Sequence, residues 1–465
     1  MKLLRTGCVL LCVAFLLGAF LSCKKEELPE EPALRPALAP PTEIPEIEEP
    51  EGYDEAPILT LATKDTLTYT VENGSITVTG YTGQDSAVQI PEQIDGSPVQ
   101  RIADAAFSNS TLTALALPVS LSEIGMGILE GADALTYLHT PFLGKTALDT
   151  QYLGYLFGAS SYRDNPLKIP ASLRTLSLGE GLQSIPEYAF FDCNDLEAIL
   201  LPQSVTAVGK FAFFHCRSLR YIPLASLESI AEYAFHSCDS LTVLSLGEKL
   251  TSIGLGAFEG CDALRRMTLP FVGGSAEENT YLAYIFGASV PEFSKGYYPG
   301  MLSEIVLLPG CRAIGTDAFY ECKSLASIVL PKGVGSIGGR AFYGCSNLRS
   351  ITIPATVTSI GENAFFYCFY LADLLFEEEG SLTSVGINAF YDCRSLTQVT
   401  LPEALRSLPS SCFAGCDSLE RIHLGGVLSV EKNAFRGCAS LKEVVAKEGI
   451  SFAEGNNTAA SKLPQ

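Results

Sequence analysis

The sequence predicts a repeat solenoid: a right-handed array of about fourteen coils, mostly β and loop, with one short parallel β-strand per coil. Three observations carry the prediction. An Ala-Phe pair recurs at a nearly constant interval; a Cys and a Leu follow it at fixed distances; and an alternating apolar pair comes next, often ended by proline.

Taking the Phe as position zero, the anchors are Phe107, Leu129 (standing in once), Phe190, Phe213, Phe235, Phe258, Phe319, Phe342, Phe365, Phe390, Phe413 and Phe435. Successive spacings are 22 or 23 residues, with one of 25 and two of 61. Ala precedes the anchor in ten of these twelve units, and Cys lies three after it in ten, from Cys193 to Cys438. Leu stands at plus six, as in Leu196 and Leu348, and apolar pairs at plus nine and plus eleven, as in Ile199 with Leu201 and Ile351 with Ile353. An Ile, Val or Leu sits five before each anchor, usually followed by Gly. Leu at plus six with apolar residues at plus nine and eleven matches the L-x-x-L-x-L strand of leucine-rich repeats. Side chains alternate along a strand, so plus nine and plus eleven share one face. Proline after them, as at Pro202, Pro331 and Pro402, stops the strand where its missing N–H costs least. One coil cannot bury this apolar set, whereas stacked coils bury it as continuous ladders.

The two 61-residue gaps are related. Residues 152–160 and 281–289 match without a gap at an offset of 129, as do Pro141-Phe142 and Pro270-Phe271. Each gap ends in a strand-like run, Leu173-Leu176-Leu178 or Leu302-Ile305-Leu307. Each therefore hides one lengthened coil, about 141–178 and 270–307, anchored on Phe157 or Phe286 pointing inward. At about 4.8 Å per strand the ladder would span about 65 Å.

The ends differ from the array. Lys2, Arg5 and the apolar run from Cys8 to Leu21 form an export signal too short to span a membrane comfortably. Ser22-Cys23 resembles the end of a bacterial lipobox, with Phe20 where a branched aliphatic residue is usual; this predicts a signal peptide at 1–22 and lipidation of Cys23. An ordinary cleaved signal with an incidental Cys is the alternative. Lys24-Lys25-Glu26-Glu27 resembles the acidic export tag of Bacteroides-type surface lipoproteins. Residues 24–57 hold 8 Pro and 11 acidic residues against three basic ones, so 23–57 reads as an extended tether. Residues 58–100 read as a cap built on a hairpin over 67–81, turning at Asn73-Gly74. The array occupies 101–446, and 447–465 reads as a polar tail, its last ten residues or so frayed.

Ala-Phe-x-x-Cys-x-x-Leu followed by an I-x-L-P strand and Ile-Gly resembles the BspA-like leucine-rich repeat family of bacterial surface proteins. The opening hairpin, with Ile90-Pro91 and Ile94-Asp95-Gly96, is similar to how such proteins begin. The resemblance covers roughly residues 67–446. It implies a surface-exposed protein whose usual role is adhesion to host extracellular proteins or other bacteria, and it brings no catalytic residues.

The residues themselves point away from chemistry. Twelve thiols lie in the array, but no C-x-x-C pair occurs and His139, His215, His236 and His423 show no ligand spacing, so no metal or other cofactor is expected. Cys412 fills an Ala position and Cys311 an apolar one. In-register thiols on stacked coils have parallel Cβ vectors that resist disulfide closure, so buried reduced cysteines are expected. Gly333 to Gly338 fit G-x-G-x-x-G, yet Val334, Ile337 and Gly338 are ordinary repeat positions. The net charge is −21, with 52 acidic and 31 basic residues, which makes nucleic acid a poor partner.

Binding surfaces come from geometry. Residues at plus eight and plus ten should point outward from the ladder, as a broad protein-binding face or as a merely solvated sheet: Tyr221, Arg266, Thr268, Ser350, Thr352, Gln398, Thr400, Arg421, His423 and Glu443. The lengthened coils should protrude and offer Tyr152, Tyr155, Tyr281 and Tyr284. The expectation is a non-enzymatic lipoprotein at the bacterial outer membrane or cell surface, binding an extracellular protein or glycan. An envelope scaffold, or a glycan-capture accessory without catalytic activity, is the alternative.

Overall fold

The computed structural model describes residues 57–149, 151–278 and 280–462. The signal segment, Cys23 and the tether up to residue 56 lie outside the described residues.

The plus-eight to plus-eleven segments form a parallel ladder in register. Strand Tyr137–Thr140 pairs with Thr175–Leu178, placing Leu138 beside Leu176, and the pattern continues to Arg421–His423 and Glu443–Val445. The ladder consists of a six-stranded and a nine-stranded sheet joined through one rung at Tyr221. Pro223 explains the join, because a proline at plus ten removes an N–H that the ladder would use. Among the described residues there are thus sixteen rungs, two more than the repeat count predicts. The extra rungs are Thr60–Leu61 and Ala87–Gln89, inside the segment read as a cap; neither has an Ala-Phe anchor to announce it. The hairpin Leu67–Glu72 with Ser75–Tyr81 forms as predicted, with Asn73 and Gly74 both at positive φ.

The residue five before each anchor builds a second parallel ladder of two-residue strands, such as Ser229–Ile230 beside Ser252–Ile253. The Gly that follows it packs close to the coil before. A Cβ on Gly254 would lie 2.3 Å from the Glu232 nitrogen. Ala231 and Pro186 occupy the same step elsewhere, so the neighbouring backbone can yield.

The Ala-Phe anchor makes a third ladder. Residues two before and two after the anchor adopt the left-handed conformation, for example Tyr188 (φ 60°) and Asp192 (φ 56°), or Phe211 and His215. Holding a non-glycine residue there costs on the order of 1 kcal/mol. In return, alternate N–H groups point along the stack: Tyr188, Phe190 and Asp192 donate to the carbonyls of Lys210, Ala212 and Phe214. The anchor rings are buried and stack face to face, with centroids 4.8 to 5.3 Å apart along Phe190, Phe213, Phe235 and Phe258.

The cysteines complete this face. Cys216, Cys238, Cys261, Cys345, Cys368, Cys393, Cys416 and Cys438 each donate S–H to the anchor carbonyl of the preceding coil, at 3.1 to 3.4 Å. A thiol here is a small apolar filler that also serves a buried acceptor. All twelve array cysteines are free and buried.

The far end is closed by the first part of the segment read as a polar tail. Ser451–Phe452 is the last strand of the second ladder, and the buried Asn456 accepts the Phe435 N–H and donates to the Glu431 carbonyl. One side chain thus satisfies the backbone groups that a further coil would have taken.

Candidate functional site

On the last rungs the outward positions are open. Gln398, Arg421 and Glu443 lie in register on successive strands, with Thr400 and His423 two residues along, and all are exposed. Arg421 Nε meets Glu443 Oε2 at 2.7 Å and Lys442 Nζ meets Glu420 Oε1 at 2.6 Å. With Thr397 and Gln398 these residues line a shallow polar groove. Hydrogen bonding to Glu443 holds the Arg421 guanidinium above its usual pKa.

Earlier rungs differ from the prediction. Tyr221 and Thr268 are buried, Arg266 is partly covered and lies 3.8 Å from Glu304, and Ser350 and Thr352 are half-buried. Tyr221 has the small, fully buried Ala198 as its ladder partner, which leaves room for the ring along the sheet. Thr268 turns its hydroxyl to the Leu246 carbonyl.

The lengthened coils hide their anchors as expected: Phe157 and Phe286 are buried. Their tyrosines are not recognition residues standing in solvent. Tyr155 and Tyr281 are buried, Tyr152 and Tyr284 half-buried. Tyr152 donates its hydroxyl to the Ala159 carbonyl at 3.1 Å, Tyr281 to Ala288 at 3.2 Å, and Tyr155 to Ile124 at 3.3 Å. Each pair meets edge-to-face around a 3-10 turn, Leu153–Phe157 or Leu282–Phe286, that ends in a glycine at positive φ. Burial pushes all four phenols above their usual pKa. The aromatic run is a clasp that seats the coil.

What stands outside is the stretch that follows, where the two coils cease to match. Phe293, Met301 and Tyr297 are 65%, 51% and 41% exposed in the second coil. The signal lay in the sequence: the offset of 129 continues past Ser160 and Ser289, but pairs polar residues with apolar ones.

A third surface escaped the sequence reading. Half-buried rings stack at the positions flanking the anchors, along Tyr188, Phe211 and Tyr233 with Tyr162 of the first lengthened coil at their end, along Phe191, Phe214 and His236, and along Tyr320, Tyr343, Phe366 and Tyr391. Recurrence of aromatics at minus two and plus one would have found it. Stacked rings turn their faces to one another, so little face is left on which a sugar could stack. Arg163 and Arg340 lie over the end rings Tyr162 and Tyr320.

Burial drives the thiols up, Cys311 to about 11 and Cys322 and Cys438 to about 12, which removes thiolate reactivity at neutral pH. The Gly-rich run 333–338 holds the two-residue strand Ser336–Ile337, paired to Ser359–Ile360. Among the described residues no cluster of three or more His, Cys, Asp or Glu could hold a metal ion, and no helix is long and apolar enough to cross a membrane.

Ladder, anchor and strand spacing together define a leucine-rich-repeat solenoid. The family model for the BspA type leucine-rich repeat region matches residues 86–148, 168–281, 294–381 and 376–463 in six copies, and the chain belongs to that family. Similar solved structures include a leucine-rich cell surface protein from Faecalibacterium prausnitzii, 23% identical over 88% of this chain and 98% of that one, TM-score 0.30. Another is a leucine-rich repeat protein from Bacteroides ovatus, 23% identical over 82% and 94%, TM-score 0.32. The pneumococcal vaccine antigen PcpA is 18% identical over 87% and 96%, TM-score 0.26. A sequence search of curated proteins finds no match.

Proposed function

We propose that this protein is a lipoprotein, tethered by an acylated Cys23 and presented at the cell surface, that binds an extracellular protein through its solenoid. The observation that carries the reading is the exposed polar row of the last rungs, Gln398, Arg421 and Glu443 beside Thr400 and His423. Each of these side chains stands on backbone locked into the ladder on both sides or at its edge. The surface is therefore preorganised, and little ordering entropy is lost on binding. Its mixed charges and amides suit a protein surface, whereas the edge-on aromatic stacks offer few platforms for sugar rings.

Three measurements test this. Protease added to intact cells should cut the repeats, and Cys23→Ala should abolish labelling by a palmitate analogue. Full-length protein should bind a matrix or cell-surface protein, and Arg421→Glu with Gln398→Ala should weaken that binding about tenfold or more, the loss typical of an interface hot spot. Repeats that stay protected until the outer membrane is broken would instead make the protein an envelope scaffold.

A further inference from the structure

The two lengthened coils share an interior and differ outside. Leu153, Phe157, Asn165 and Leu173 of the first are all buried, as are their counterparts Leu282, Phe286, Ser294 and Leu302. Outside, the same register step turns Ser161 into Val290, Asp164 into Phe293, Lys168 into Tyr297 and Ser172 into Met301. In the second coil all four apolar residues are exposed, Val290 by 38%. Phe293, Tyr297 and Met301 each precede an inward residue, Ser294, Tyr298 and Leu302, so they leave the coil on its outer side together. No other stretch of this length among the described residues exposes four large apolar side chains.

Charge changes along with polarity. Residues 141–178 carry a net +2 and residues 270–307 a net −3, and Arg163 of the first is replaced by Glu292 in the second. The Glu292 and Glu304 carboxylates flank the apolar residues and are themselves mostly exposed, although each also lies 3.8 Å from an arginine of the same chain, Arg340 and Arg266, and the exposed Lys295 sits between them in sequence. A second copy of this chain would bring another −21 charges against the patch, and an anionic membrane would be repelled likewise. Charge complementarity therefore selects a basic occupant, and the exposed rings and thioether select an apolar side chain within it.

We propose that the outer surface of the second lengthened coil, residues 289–301, is a docking site for a basic, amphipathic segment of a partner protein. The proposal rests on the reading of the solenoid as a protein-binding module and gives one part of it a ligand chemistry. Phe293, Tyr297 and Met301 form the anchor, and Glu292 with Glu304 orient the approaching cations. The first lengthened coil, polar and basic at the same positions, does not bind such a segment.

The test uses the full-length chain and three fluorescent helical peptides, Lys with Leu, Glu with Leu, and Lys with Ser. The variant carries Phe293→Asp, Tyr297→Lys and Met301→Ser, the residues the first coil tolerates at these steps, and leaves the net charge unchanged. Unaltered thermal unfolding confirms its fold. The Lys-Leu peptide should bind the parent chain, and the variant, added salt, or either of the other peptides should weaken binding about tenfold or more. Equal binding of the Glu-Leu peptide, or Lys-Leu binding that survives the triple substitution, overturns the proposal. So does a dimer of the parent chain, or its binding to neutral phosphatidylcholine vesicles, if the variant abolishes it. Arg421→Glu separates the two sites: it should leave peptide binding intact, and failure of the cell-surface experiments would remove the proposed location without touching this result.

Discussion

From Phe319 to Phe390 the solenoid repeats on every side at once: strands, anchor rings, thiols and second-ladder residues all continue from coil to coil. At the two lengthened coils only the main ladder continues unchanged. Among the described residues the second ladder has no strand there, and the N–H groups of Ile124 and Ile253 go instead to the loop carbonyls of Lys145 and Gly274. The anchor row enters through Leu153 and Leu282, which donate to Ala189 and Ala318 in place of Phe157 and Phe286. Cys193 and Cys322, the first thiols after each lengthened coil, are not among those bonded to a preceding anchor carbonyl. One side of the coil thus has to be kept for the stack to hold, and the rest can be lengthened and given a new surface. That is where variation can be accepted without loss of fold.

The largest effect separating the two kinds of coil is alkaline. Array thiols sit at regular coils and are absent from 141–178 and 270–307, apart from those just outside. Burial raises their folded pKa well above 9.0, as at Cys345, Cys368 and Cys393. The unfolded chain therefore loses thiol protons first. Stability is fully present below pH 9 and falls as pH rises above it, by about 1.4 kcal/mol per pH unit for each thiol ionised only in the unfolded state. Proteolysis across pH 8 to 11 should open the 322–438 coils before 141–178. Replacing Cys345, Cys368 and Cys393 by Ala should flatten the dependence; an unchanged profile would contradict the assignment.

A smaller difference lies in the rings. Phe342 is stacked on both sides, at 5.0 and 4.9 Å, whereas Phe286 meets only the edge-to-face Tyr298 at 6.3 Å among the described ring contacts. Truncating a buried Phe to Ala costs about 3–5 kcal/mol, and each aromatic pair adds about 0.5–1.5 kcal/mol. Phe342→Ala should therefore be costlier than Phe286→Ala by about 0.5–1.5 kcal/mol, the worth of one more ring pair, in urea unfolding followed locally by hydrogen exchange. Equal losses would mean that the stacks contribute nothing beyond burial.

Such anchors were readable because spacing alone fixes which residues stack. Phe157 and Phe286 were placed inward without a repeat interval to support them, on the strength of the strand that follows each. What spacing does not encode is where a polar end of a side chain goes. Tyr152 and Tyr281 read as recognition residues because nothing in the local sequence announces that a carbonyl seven residues on takes the hydroxyl. The rungs at residues 60–61 and 87–89 escaped for the opposite reason: they keep the ladder without the anchor that advertises it. Of the outward row, Gln398, Arg421 and His423 are exposed as read, while Tyr221 and Arg266 are covered by neighbours that alternation does not consider.

The subtlest difference is between the lengthened coils themselves, and it is a matched exchange. In the first, buried Asn165 accepts the Gly154 N–H at 3.1 Å and donates to the Phe191 carbonyl at 3.1 Å. A Cβ on Gly154 would lie 2.4 Å from the Asn165 Oδ1. The second coil has Ala283 and Ser294 at these two places, a larger residue facing a smaller one. Gly154→Ala alone should therefore destabilise by about 1–3 kcal/mol through overpacking, and Asn165→Ser alone by about 1–3 kcal/mol through lost hydrogen bonds. Made together they recreate the second coil's solution, and the cost should fall short of the sum by about 0.5–3 kcal/mol. Additive losses in a double-mutant cycle would show that the coils reached their present interiors independently of this contact.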